Sequence, residues 1–473
     1  MREAPAAPAM TDLSDVLATI DRDLDRSVER LFELVRIPSI STDPAHRDDC
    51  RHAADWLVAE LKGLGFDATA RQTAGHPMVV GHYTPTHAKK GMPHVLFYGH
   101  YDVQPADPID KWTSPPFAPE RRRDARGVER LYGRGTADDK GQLMTFIEAC
   151  RAWLATRGPL PCRITVLCEG EEESGGPSLL PFFKAHGREL KADIAFICDT
   201  DMWDARTPAI TMSLRGLLHE EVTVTGPRID LHSGLFGGAV VNPIRALAGV
   251  LAGLHDRDGR VAIPGFYAGV REPSAATRRA WKALKFSEKA FLNAVGVGRP
   301  AGETGYSVLE QIWARPTAEI NGIYGGYTGK GTKTVLPSEA TAKVSFRLVG
   351  KQDPAKIRAS FRRWVRARLP KDCKVAFEGR DGSPAMEVDA KNPFVRKAVR
   401  ALSEEFGRVP VLKGSGGSIP IVRHFREKLG LESVLVGFGL EDDAIHSPNE
   451  KYDLSSYHRG IRSWARVLAT LTQ

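Results

Sequence analysis

Cysteine is scarce, with six in 473 residues. None form a CxxC pair, and six thiols in so long a chain do not make a disulfide framework. Cys168 and Cys198 lie in apolar runs, which suits buried thiols in a reducing compartment. There is no uninterrupted apolar run of about eighteen residues, so no spanning helix and no membrane partner are expected. The opening MREAPAAPAM lacks the apolar middle of a secretory signal and reads as a loose tail, with Met10 as a second candidate start. The expectation is a cytoplasmic protein. Internal repeats and low-complexity tracts are absent, and so is the phosphate-binding pattern GxxxxGK[ST].

A surplus of one charge is also small: 66 Lys and Arg against 58 Asp and Glu, a net of +8. The basic residues are scattered, and Arg121-Arg122-Arg123 is a short run. Between Ile357 and Leu369, the apolar residues Ile357, Phe361, Trp364 and Val365 fall at helical spacing. Arg358, Arg362, Arg363, Arg366 and Arg368 occupy the intervening positions. This pattern reads as a solvated helix face. With no recognised nucleic-acid motif beside it, no nucleic-acid partner is expected.

Hydrophobic residues make up 42% and charged residues 26% of the chain, as in soluble globular proteins. The length exceeds one typical core and suggests two domains. Helical period runs from Leu13 to Leu34, with Asp12 and Ser14 as candidate caps, and Ile37-Pro38 ends it. Another helix covers Arg51 to Leu64. Short apolar runs follow at Met78–Val80 and at His94–Tyr98, the second stopped by Gly99. A helix over Gly141–Leu154 and strands over Cys162–Leu167 and Ile194–Cys198 come next. This alternation predicts an α/β domain, a mixed or parallel sheet covered by helices.

Near Thr211 the texture changes. Leu217–Thr225 and Ala340–Leu348 alternate like half-exposed strands, and Val241–Leu254 and 357–369 read as helices. After Pro384 the α/β pattern returns, with a helix over Pro393–Phe406 and a strand over Ser433–Phe438. The predicted organisation is a discontinuous catalytic domain (1–212 and 386–473) with an inserted α+β domain (213–385).

Five short segments concentrate metal-ligand residue types. His100 and Asp102 follow a buried strand, where an imidazole can meet a metal and a nearby carboxylate can orient it. Asp138 lies in the glycine-containing stretch Gly133–Gly141; it suits a hard or borderline cation, but Asp138 or Asp139 would also cap the next helix. Glu169, Glu171, Glu172 and Glu173 put four carboxylates into five residues. A bound divalent cation would turn their repulsion into binding energy, and one of them could take protons while its neighbour holds metal. Asp199 and Asp201 follow another strand, and His446 lies near the C-terminus. Two imidazoles and three carboxylates on one sheet face can serve two zinc-like ions if one carboxylate bridges. In open α/β sheets, ligands bind beyond the strand ends.

The segments VLFYGHYDVQP, LYGRGTADDKGQ, EGEEESGG, CDTDMW, DLHSG, GGSIP and AIHSPNEKYDL occur in the order found in the two-metal aminoacylase and carnosine-dipeptidase superfamily. The chain resembles the cytosolic dipeptidase branch of that family from ELVRIPSIS to its last helix. The resemblance implies that Asp138 bridges two divalent ions, with His100 and Asp199 completing one site and Glu173 and His446 the other. It implies Glu172 as general base, Asp102 as support for His100, and a non-proline cis peptide at Asp138-Asp139. It further implies that the inserted domain is a lid and homodimer surface. His232 of DLHSG would then serve a neighbouring subunit's active site by polarising the scissile carbonyl. Arg347, Thr334, Gly417 and Ser418 would bind the substrate's carboxylate. In one departure, close dipeptidase relatives often carry Glu where this chain has Ser415, which touches substrate preference but no ligand.

The implied activity is metal-dependent hydrolysis of dipeptides or short peptides with a free C-terminal carboxylate. The ions would be zinc, with manganese or cobalt compatible. The alternatives are an N-acyl amino acid deacylase with the same metals and, in another class, an inactive binding or scaffold protein.

Overall fold

A computed structural model describes residues 12–379 and 382–471. The expected N-terminal tail and Met10 lie outside these. The chain divides into two compact units, one formed by 1–212, 388–413 and 424–473, the other by 213–387 and 414–423. Residues 386–387 and 414–423, which the sequence assigns to the first domain, therefore group with the second.

The first unit is built on a mixed sheet. Strand His94–His100 lies at its centre, parallel to Arg163–Glu169 on one side and to Ile194–Ile197 on the other. Ser433–Leu435 continues the parallel set beyond Ile194–Ile197. Met78–Tyr83 joins the other side antiparallel, followed by Asp67–Arg71. The central strands are buried on both faces, which explains their unbroken apolar runs. Gly99 does not end its strand. The backbone continues in register to His100, opposite Glu169. A Cβ at Gly99 would lie 2.9 Å from Asp139 Oδ2, so glycine here admits a neighbour.

Helices Lys140–Arg157 and Leu454–Leu471 cover one face. Phe97 stacks on Phe146 at 3.9 Å between centroids, and Trp464 sets its edge against Phe97, Phe146 and Phe196. These aromatic contacts join both helices to two central strands. The N-terminal period forms two helices, Ser14–Arg22 and Leu24–Val35, separated at Asp23, a residue of low helix propensity. Glu120–Arg123, Glu129–Tyr132 and Lys451–Asp453 form a separate small sheet that the sequence pattern does not mark.

The second unit contains a four-stranded antiparallel sheet, ordered Thr317–Gly325, Glu339–Leu348, Gly216–Thr225, Lys374–Glu378. Helices Pro243–Ala252 and Pro354–Arg366 pack their apolar faces on it, through Leu247, Val250, Ile357, Phe361 and Trp364. Each begins with proline after a capping side chain, Asn242 or Asp353. Much of the arginine face of the second helix is engaged: Arg362 pairs with Glu220, and Arg366 lies over Phe377. Among the described residues no helix is long and apolar enough to cross a membrane.

Candidate metal centre

The parallel strands end together and present their following residues to one edge. His100 closes its strand, and Asp199 lies two residues beyond Ile197. Buried His100 points Nδ1 at the backbone carbonyl of Asp102 (3.0 Å), with the Asp102 carboxylate at 3.4 Å. Its Nε2 is thereby turned toward Asp138 Oδ1, at 3.1 Å. This partner fixes the ring and leaves the far nitrogen for a ligand.

Asp138 occupies a loop fixed from a distance. Buried Glu450 accepts the backbone N–H groups of Gly135 (3.0 Å), Ala137 (2.9 Å) and Asp138 (3.1 Å), and Arg134 pairs with it at 2.6 Å. The Asp138-Asp139 peptide is cis. Neither aspartate caps the following helix through its side chain, so the capping alternative does not hold. Asp139 Oδ2 instead accepts the N–H of His100 at 3.0 Å.

His446 Nε2 approaches the second oxygen of Asp138, Oδ2, at 3.0 Å, and Glu173 Oε1 at 3.2 Å. His446 and Ala444 hold left-handed backbone angles, φ of 59° and 55°, which are strained for residues with a side chain. The ligand atoms of His100, Asp138 and Asp199 lie within 4.8 Å of one another, and so do those of Asp138, Glu173 and His446. The two groups share one residue, Asp138.

The four glutamates at and just beyond the end of strand Arg163–Glu169 separate by role. Glu169 Oε2 accepts from the Tyr98 hydroxyl at 2.7 Å. Glu171 accepts the N–H groups of His76 (2.9 Å) and Ser178 (2.8 Å) and is structural. Glu173 joins the cluster, with Gln104 Nε2 donating to its Oε2 at 2.8 Å. Glu172 stands beside it. Gln104 and Glu450 belong to motifs quoted above, but nothing local assigned them a task.

The charges are unbalanced. Burial pushes the Glu172 carboxyl up to about 7; His100 opposes this, and the charges of Glu173, Asp102 and Asp138 add to it. Asp199 is raised well above the carboxylate range, again first by burial. Burial also works to raise Asp138, but hydrogen bonds from His100 and His446 outweigh it and hold Asp138 low. Asp138 and Glu173 in turn raise His446 to about 10. Glu173 Oε1 is buried, and its nearest polar neighbour is His446 Nε2 at 3.2 Å, with no hydrogen bond of good geometry to it. An orphaned buried carboxylate oxygen and a surplus of clustered acids are what a pair of divalent cations would satisfy. The donor set of two imidazoles and three carboxylates fits them.

In the second unit, Arg347 Nη1 donates to Ser418 Oγ at 3.2 Å, and Gly417 lies beside it. Ser415 Oγ accepts the Gly417 N–H at 3.1 Å, an internal turn of this loop. His232 and Thr334 meet separately, both exposed: His232 pairs with Val335 in a two-stranded ribbon, and Ser233 N–H donates to the Thr334 carbonyl at 3.0 Å. Arg215, unremarked in the sequence, lies against the Arg347 group.

Two candidate triads sharing a carboxylate at the carboxyl edge of a parallel sheet, with a glutamate beside them, offer the donors that a two-cation hydrolase centre requires. The chain belongs to peptidase family M20/M25/M40, whose family model matches residues 96–470. The Cys-Gly metallodipeptidase DUG1 of Candida albicans is 32% identical over 471 residues, covering 95% of this chain and 96% of that protein. The human Beta-Ala-His dipeptidase is 30% identical over 498 residues, covering 100% and 95%. The solved structure of the Saccharomyces cerevisiae dipeptidase Dug1p matches with a TM-score of 0.81 at 28% identity, over 98% of each chain.

Proposed function

We propose that the protein hydrolyses dipeptides or short peptides bearing a free C-terminal carboxylate. The observation that carries this reading is the Asp138 carboxylate, met on its two oxygens by His100 at 3.1 Å and His446 at 3.0 Å, beside Glu172. His100, Asp138 and Asp199 would hold one divalent cation, and Asp138, Glu173 and His446 the other. Such a pair would acidify a shared water and draw charge from the scissile carbonyl. Imidazole and carboxylate donors suit zinc, and manganese or cobalt is compatible.

Glu172 accepts the proton of the attacking water and returns it to the leaving amine. Its place beside Glu173 and the Asp138 cluster puts one carboxylate within reach of both transfers. Asp102 orients His100. Arg347 forks onto the substrate carboxylate, with Ser418, Gly417 and Thr334 completing that contact. His232, contributed by the second copy of a homodimer, donates to the developing oxyanion. The named activities of the relatives, on Cys-Gly and β-Ala-His, favour a dipeptide over an N-acyl amino acid. Side-by-side turnover of Cys-Gly, β-Ala-His and N-acetyl amino acids, with and without chelator, tests this. Chelator-sensitive cleavage of a dipeptide is expected. Exclusive turnover of N-acetyl amino acids would contradict it.

A further inference from the structure

Arg215 lies between strands Ala209–Leu214 and Gly216–Thr225 and is bound to the Gly416–Ser418 loop from three directions. Its backbone N–H donates to the Gly417 carbonyl at 3.1 Å, and its Nε donates to the Gly416 carbonyl at 3.2 Å. Ser418 Oγ donates to the Arg215 carbonyl at 2.5 Å and accepts from Arg347 Nη1 at 3.2 Å. One hydroxyl therefore connects both arginines. Arg215 Nη1 also faces the carbonyls of Arg315 (3.4 Å) and Gln311 (3.5 Å). A Cβ at Gly416 would come within 3.0 Å of Arg215 Nη2, so glycine leaves the guanidinium its place.

Every acceptor that Arg215 finds is neutral. Other buried arginines of the chain have carboxylates: Arg134 has Glu450, and Arg315 has Glu303. Among the described residues neither Arg215 nor Arg347 forms an ion pair. Glu319 contributes some field at Arg215 without reaching ion-pair distance. Burial, then the neighbouring charge of Arg347, pushes Arg215 down to about 10. Two half-buried like charges without a counter-ion are costly, and an entering anion relieves both.

We propose that Arg215 is a positioning residue of the carboxylate pocket. It fixes the Gly416–Ser418 loop and supplies a second positive charge behind Arg347, so that a free C-terminal carboxylate is selected over an uncharged amide. This rests on the reading of Arg347 and Ser418 as carboxylate binders. The test compares Cys-Gly with its C-terminal amide on the metal-loaded enzyme, as a ratio of kcat/KM. The wild type should prefer the free acid strongly; no preference would overturn the pocket reading itself. Given that preference, Arg215→Met should lower the ratio by about 10- to 100-fold through KM for the free acid. Arg215→Lys, which keeps the charge but not the fork, should recover part of it and guards against a variant that fails to fold. Equal losses on both substrates, or an unchanged ratio in Arg215→Lys and Arg215→Met, would show a scaffold role alone and overturn the proposal.

Discussion

The backbone N–H of Glu172 donates to Asp102 Oδ1 at 3.2 Å, across seventy residues of chain. Asp102 Oδ2 takes the N–H of Glu173 at 3.1 Å and the hydroxyl of Ser41 at 2.6 Å. One buried carboxylate thus holds the proposed base and a proposed ligand, while its own main chain orients His100. Asp102→Asn would turn an NH2 group toward donors that need an acceptor. We expect kcat to fall by about 10- to 100-fold, with weaker cation binding, as for other outer partners of metal ligands. Steady-state kinetics with metal titration would check this. An Asn variant with wild-type values would remove the role.

Glu172 is assigned proton transfer, not cation binding. Glu172→Gln should keep the wild-type cation content and lose about two to four decades of kcat. Elemental analysis beside single-turnover kinetics separates the two readouts. Loss of cations in this variant would make Glu172 a ligand instead.

Gln104 donates to Glu173 Oε2 and so leaves Oε1 facing His446. Gln104→Leu frees that carboxylate to rotate. Affinity for the cation assigned to Asp138, Glu173 and His446 should fall by about 10- to 100-fold, with the other cation little changed. Equilibrium dialysis resolving two binding constants is the measurement, and equal weakening of both would argue against a local effect.

How much of this was legible follows from how each residue acts. His100, Asp138, Glu173, Asp199 and His446 stand in short segments after strands or in loops, and those segments can be read one at a time. Glu450, Gln104, Ser41 and Arg215 act through hydrogen bonds to distant chain, such as Glu450 with Asp138 across 312 residues. No local period encodes such a bond. Glu171 and Glu173 look alike in sequence, and only the fold shows that one ties down backbone while the other faces a histidine. Gly99 reads as a strand stop from propensity, yet its missing side chain is what lets Asp139 approach. Asp23, inside an unbroken helical period, divides the helix.

Glu169 offers a stability test. Burial raises its carboxyl from 4.5 to about 8, against the opposing Tyr98 hydrogen bond. The folded state therefore keeps a proton that the unfolded state releases. Stability from this group is full below about 4.5 and is lost as pH rises through about 8. Glu169→Gln should thus gain stability relative to wild type as pH climbs through that window, with little difference below it. Urea unfolding of both metal-free proteins across the range reports this, and a pH-independent difference would contradict the buried, protonated state.

The most direct test of the central claim is cation stoichiometry by equilibrium dialysis and elemental analysis, on wild type and Asp138→Ala. A carboxylate shared by both groups predicts two divalent ions per wild-type chain and severe weakening of both when Asp138 is removed. A single ion in the wild type, or an Asp138→Ala protein that keeps one site at full affinity, would contradict the shared centre.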